Sequence, residues 1–446
     1  MRYVRIGRLL TQLTLFVLAG APAACGDDDV SPPGTDAGVA DAGADSGPGF
    51  DAARPPPDAG PPADGTPWKG PWALRIDTTH ASVRWETRAM PADISVVVRP
   101  ETGGGPARTV TGSSTPSDVT ASFGVGSPIV PMPDYPGTYY MNEVPIDGLA
   151  PATCYTYEVT GYVATAHGRF CTLHEPTDRS PIRFLVIGDT NPAFGHIAPL
   201  ISQVRERPAL PELVIHVGDI EYYSSVIETW QRWFVDAAPL MQLAGFFPTM
   251  GNHEYELDGT EYPQYTERFF GNAGLDGNTD RYHFASGGVH FFTINTENDQ
   301  TPTSEQIVWL TSGLEAARAT PGFRFSILFF HRPTYTVGDA GPDTTLRATL
   351  APLLAPNVVK LVLAGHMHGY ERFEVDGVTH LTTAGGGGVI GNVDANVATL
   401  PEDAALRAAS GGFFHVMLIT IDTTTLTGEA LDDSGVVRDT FTHPVP

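Results

Sequence analysis

Asp, Asn and His recur in this chain directly behind short apolar runs, and these are side chains that hold metal ions. Ile182-Arg-Phe-Leu-Val-Ile runs into Gly188-Asp189, and Leu213-Val-Ile-His-Val into Gly218-Asp219-Ile-Glu-Tyr222. Phe246-Phe-Pro-Thr-Met runs into Gly251-Asn252-His253-Glu254, and Phe325-Ser-Ile-Leu-Phe-Phe into His331-Arg332-Pro333. The last run, Val358 to Ala364, opens onto Gly365-His366-Met367-His368-Gly369-Tyr370-Glu371-Arg372. A single Gly-Asp or Gly-Asn is usually a turn, and two loop histidines are usually solvated. Five such endings in order, each with a metal-capable side chain, argue against turns alone.

Each run is short and continuously apolar, as expected of a strand buried on both faces. The ligand-type residues then fall at carboxyl ends of strands, where α/β sheets place their sites. Ser304 to Leu314 reads as an N-capped amphipathic helix, and Phe413 to Ile421 as a late core strand. His216 and His290 sit inside apolar runs and read as satisfied core residues, whereas His196 reads as an exposed loop histidine. Gly385 to Gly388 has no following GK[ST], so it is not a P-loop; it reads as a flexible turn at the rim of the site.

Together GDTN, GDIEY, GNHE, FFHRP and GHMHGYER resemble the calcineurin-like metallophosphoesterases, and within them the purple acid phosphatases. The resemblance spans roughly residues 181–446. It implies a four-layer α/β/β/α domain over 180–446, in which Asp189, Asp219, Tyr222 and His368 hold Fe(III). Asp219, Asn252, His331 and His366 hold a divalent Zn, Mn or Fe, with Asp219 bridging. Two metals ~3.5–4 Å apart polarise phosphoryl oxygens and acidify a water. The resemblance therefore implies a metal-bound hydroxide attacking phosphorus, with His253 as general acid for the leaving alkoxide. Asn191 stands where the family usually has Gly. The loop after the H-x-P turn, Arg332 to Gly365, lacks the histidines of many plant-type members. Asn191, His253 and Tyr335 are the candidate substrate contacts.

The N-terminus is read apart from the fold. Arg2, Arg5 and Arg8 precede an apolar stretch and Ala-Pro-Ala-Ala-Cys25, which makes 1–25 a secretory signal whose Cys25 resembles a lipobox cysteine. Residues 26–67 hold nine Asp against one Arg and cannot bury enough apolar surface to order themselves. That tether carries about a third of the formal charge of −25. The acidity argues against nucleic acid and anionic membrane as partners, leaving a membrane only through a Cys25 anchor. A secreted or cell-surface location follows. Residues 68–176 are expected to form an all-β sandwich, because Leu149-Ala-Pro151-Ala-Thr153-Cys-Tyr155-Thr-Tyr157-Glu-Val159 resembles a fibronectin type III strand with its tyrosine corner. With Cys25 acylated, Cys154 and Cys171 remain as candidates for one bridge, stabilising by very roughly 3 kcal/mol.

The leading expectation is a phosphomonoesterase acting on small phosphoesters. The alternatives are a phosphodiesterase on the same fold and an inactive surface binding protein. Retention of all seven ligand-type residues and His253 favours an enzyme.

Overall fold

The computed structural model describes residues 67–119, 137–160, 166–190, 195–221, 227–255, 263–271 and 280–446. The proposed leader, Cys25 and all but the last residue of the 26–67 tether lie outside the described residues, as do Asn191 and Tyr222.

Along Cys154–Val159, Tyr155, Tyr157 and Val159 are buried while Thr156 and Glu158 are exposed, the period-two pattern of a strand with one face in a core. This strand (β7) belongs to a set of eight: β1 Pro67–Leu74, β2 Ala81–Thr87, β3 Ser95–Pro100, β4 Arg108–Thr111, β5 Ser113–Val119, β6 Gly137–Ile146, β7 and β8 His167–Cys171. They pair as two sheets, β1-β2-β6-β5 and β4-β3-β7-β8, the two-sheet plan of immunoglobulin-type sandwiches. Trp85, Val96, Val144, Tyr157 and Phe170 fill the space between them. The Tyr155 hydroxyl accepts the Ala150 N–H at 2.9 Å, which is the tyrosine corner. Cys154 and Cys171 are cross-strand neighbours and form a disulfide.

The second half is two packed sheets with helices outside. β9 Ile182–Ile187, β10 Leu213–His216 and β11 Gly245–Pro248 run parallel and share a six-stranded sheet with β19 His415–Ile421, β20 Thr425–Asp432 and β21 Val437–Pro444. The seven-stranded sheet has the order β12-β13-β14-β15-β17-β16-β18. Its strands are β12 Tyr282–Ser286, β13 Val289–Thr293, β14 Phe325–Phe329, β15 Val359–Ala364, β16 Tyr370–Val375, β17 Val378–Thr383 and β18 Arg407–Gly411. Alternation sorts each strand between two cores. Phe184 and Val186 of β9 face Phe291, Ile327 and Leu361 of the other sheet, while Leu185 and Ile187 face outer helices. Those helices are α1 Ile197–Arg205, α2 Ile227–Asp236, α3 Ala238–Met241 and α4 Pro263–Phe270. On the far side, α5 Glu305–Arg318 and α6 Thr344–Leu354 cover Phe292, Leu328 and Val362. Ser304 caps α5 through the Ile307 N–H, as its sequence predicts. The result is a β-sandwich followed by an α/β/β/α domain. Among the described residues no helix is long and apolar enough to cross a membrane.

The sandwich docks through Trp72, whose ring meets Phe234 of α2 and Phe269 and Phe270 of α4. Arg84 donates from Nη1 to the carbonyls of Phe269 and Gly271, capping the end of α4. Beside it, buried Glu86 pairs with both Lys69 and Arg268.

Candidate metal centre

Five loops converge at the carboxyl ends of β9, β10, β14 and β15 and just beyond β11, because parallel strands deliver their endings to one edge. The backbone laces them together. Asp189 N–H bonds the Gly218 carbonyl, Thr190 N–H the Asp219 carbonyl, and Gly365 N–H the His331 carbonyl. Asp189, Asp219 and His366 have φ of 58°, 50° and 70°, a left-handed region that Asp tolerates better than most residues. The approach is so close that a Cβ at Gly251 would lie 2.1 Å from Asp219 Oδ1. Glycine at 251 is therefore a packing requirement as much as a turn.

The side chains meet in two groups that share Asp219. One is Asp219, His331 and His366; the other is Asp189, Asp219 and His368, and within each group the donor atoms lie within 4.8 Å of one another. His331 Nε2 is 3.1 Å from Asp219 Oδ2 and 3.0 Å from Asn252 Oδ1. His368 Nε2 is 3.3 Å from Asp189 Oδ1. Both rings turn Nδ1 to a backbone carbonyl, His331 to Val217 at 2.9 Å and His368 to Val389 at 2.8 Å. That second bond orients each imidazole and aims Nε2 inward, the arrangement metal-ligating histidines use. Carboxylate, imidazole and amide oxygen around one shared Asp fit a pair of cations.

Electrostatics agree with that fit. Burial alone would lower His331, but Asp219 in contact raises it to about 9. His368 behaves alike: burial opposes and Asp189 prevails, again reaching about 9. Burial, then the charges of His331 and Arg332, hold His366 well below the ordinary range. Asp219 is held well below the usual carboxylate range: burial opposes ionisation, but His331 and His253 outweigh it. His253 donates its backbone N–H to Asp219 Oδ1 at 3.0 Å and holds Nε2 3.9 Å from Oδ2.

Two residues escaped the sequence reading. Glu254 is fully buried and accepts the N–H groups of Gly251, Asp219 and Ile220 at 2.6, 3.0 and 2.8 Å. It clips two ligand loops together; burial and the Asp219 charge push its carboxyl up to about 7. Its signal was present as the last letter of GNHE. Arg332 forms a bidentate pair with Glu297 and turns Nη1 to His366 Nε2 at 3.0 Å. Nothing local in the sequence links 332 to 297.

Several expectations need correction. Gly385 to Gly388 is not a flexible turn. The run is buried, with Gly386 N–H on the Gly188 carbonyl and Gly388 N–H on that of Asp189. A Cβ at Gly388 would stand 2.6 Å from the His368 ring, so close approach demands the glycine. Tyr335 packs under Arg347 at 4.0 Å and against His380 and Phe373. These contacts offer no support for a substrate role. His196 is half-buried, stacked on Phe414 and 3.3 Å from Asp433, not an exposed loop residue. His216 bonds Thr190 through Nε2, but among the described residues its buried Nδ1 has no hydrogen-bond partner, so it is only partly satisfied. His290 bonds His283 at 2.9 Å. Asn191 and Tyr222, the remaining predicted site residues, lie outside the described residues.

With this geometry in hand, the family model for calcineurin-like phosphoesterases matches residues 182–370, which contain every ligand-type loop named above. These residues form a calcineurin-like metallophosphoesterase domain, and the chain is similar to purple acid phosphatases. It is 27% identical over 311 residues to "Probable purple acid phosphatase 20" of Arabidopsis thaliana, covering 64% of this chain and 69% of that protein. It is 30% identical over 305 residues to purple acid phosphatase 23 of the same plant, covering 58% of this chain and 65% of the relative. A purple acid phosphatase from yellow lupin (Lupinus luteus) seeds superposes with a TM-score of 0.67 at 18% identity, covering 85% of this chain and 74% of that one. That last likeness shows the fold, sandwich included.

Proposed function

We propose that this phosphoesterase hydrolyses small phosphomonoesters at a binuclear centre of Fe(III) and a divalent Zn, Mn or Fe. The observation that carries the reading is Asp219, shared by two donor groups and approached by His253. Asp189, Asp219 and His368, with Tyr222, would hold one ion; Asp219, Asn252, His331 and His366 would hold the other. When bound, the ions supply charge neutralisation on the phosphoryl group and a strong nucleophile at modest pH. The chain supplies orientation: Val217 and Val389 fix the imidazoles, and Glu254 fixes the loops of Asp219 and Asn252. His253 holds a proton at Nε2 for the departing alkoxide. In keeping with the leader and tether read from the sequence, we place the enzyme outside the cytoplasm, anchored through Cys25.

His253→Gln tests the reading. Esters with poor alkoxide leaving groups should slow by roughly 10²–10⁴-fold and p-nitrophenyl phosphate much less. Equal loss on both would replace proton donation with phosphate positioning. A wild-type enzyme that cleaves bis(p-nitrophenyl) phosphate but no monoester would overturn the substrate assignment.

A further inference from the structure

We propose that Arg332 binds a phosphoryl oxygen of the substrate and so favours the phosphomonoester dianion over the diester monoanion, an inference that rests on the reading above. Arg332 follows His331 directly, so the strand ending that delivers an imidazole to the cluster also delivers a guanidinium to its edge. Glu297 takes the Nε and Nη2 side of the fork at 2.7 and 2.8 Å. Nη1 reaches the His366 ring, 3.0 Å from Nε2. The guanidinium thus touches His366, one of the trio Asp219, His331 and His366 that His253 approaches from Asp219.

The mounting is stiff at both ends. The Arg332 backbone N–H bonds Thr296 Oγ1 at 3.2 Å, and the Glu297 N–H bonds Asn295 Oδ1 at 3.0 Å. The residues just after β13 therefore fix both the arginine and its carboxylate partner. A buried or half-buried arginine serving stability alone needs only its carboxylate; this one also turns a nitrogen toward a ring that faces the cation site. A planar, permanently charged fork suits phosphate, and holding it in place beforehand spares the entropy of ordering it on binding. A monoester dianion has one more anionic oxygen to offer than a diester, so an added cation discriminates between them.

The test uses metal-loaded Arg332→Gln, Arg332→Lys and Glu297→Gln beside wild type. Elemental analysis reads metal content, titration calorimetry reads inorganic phosphate affinity, and kcat/KM is compared for p-nitrophenyl phosphate and its bis ester. Arg332→Gln should keep both metals, bind phosphate roughly 10- to 100-fold more weakly, as for one charge-assisted hydrogen bond, and lose monoester activity more than diester activity. Arg332→Lys should recover part of the phosphate affinity, and Glu297→Gln should lose a smaller share. Unchanged phosphate affinity with metals retained overturns the proposal, as does loss of metal in both arginine variants. If wild type binds phosphate yet turns over no monoester, the proposed function fails while the affinity series still decides the role of Arg332.

Discussion

Two buried charge clusters in this molecule are built on opposite plans. Where the sandwich meets the phosphoesterase domain, Glu86 is enclosed by Lys69 and Arg268, and both cations lie near the rings of Tyr139 and Phe269. At the metal centre, Asp189, Asp219 and Glu254 are buried together against imidazoles and backbone N–H groups. The first cluster is settled within the chain and serves docking. The second sets Asp219 among imidazole nitrogens with, among the described residues, no arginine or lysine pairing its carboxylate, and a cation from outside can take the place of the protons on those rings.

Damage to the two should therefore be read by different instruments. The largest effect belongs to the second: Asp219→Ala should cut turnover by several orders of magnitude and lower metal stoichiometry on elemental analysis. Near-normal turnover would erase the contrast. Glu86→Ala should do the reverse, costing ~3–5 kcal/mol in denaturant unfolding by removing the buried carboxylate that Lys69 and Arg268 share, while turnover per folded molecule holds. Lost metal in that variant would mean that the interface reaches the site.

A third set of buried groups sharpens the comparison with a smaller effect. Burial lowers His380 to about 3 and His415 to about 4. Above pH 6.5 both are neutral in folded and unfolded chains alike. As pH falls from 6.5 toward 4 only the unfolded chain takes up the protons, so stability declines across that window, by up to about 1.4 kcal/mol per pH unit per group. His380→Gln should flatten the dependence in urea unfolding series at pH 4 to 7, and an unaltered slope would count against it.

What could be read from the sequence was local. Asp189, Asp219, Asn252, His331, His366 and His368 were legible because strand endings and residue types are local, and the sheet order brings them together. The tyrosine corner at Tyr155 and the Cys154–Cys171 bridge were legible for the same reason. Arg332 with Glu297, and Glu254 with Ile220, depend on pairings 35 and 34 residues apart that no window reveals. The contacts of Tyr335 with Arg347 and His380 likewise depend on residues distant in sequence. Gly385 to Gly388 was misread because glycine serves both freedom and close approach, and only neighbours such as His368 tell which.

The left-handed backbone at Asp189, Asp219 and His366 also bounds how this centre can drift over generations. At 189 and 219 the residues that sit in such a conformation at little cost are Gly, Asn and Asp, and of these only Asn and Asp still offer a ligand oxygen. His331, Asn252 and His368 are free of that restriction. A lineage exploring new metals or substrates would therefore be expected to change those positions, or Arg332 beside them, long before it changes the two aspartates.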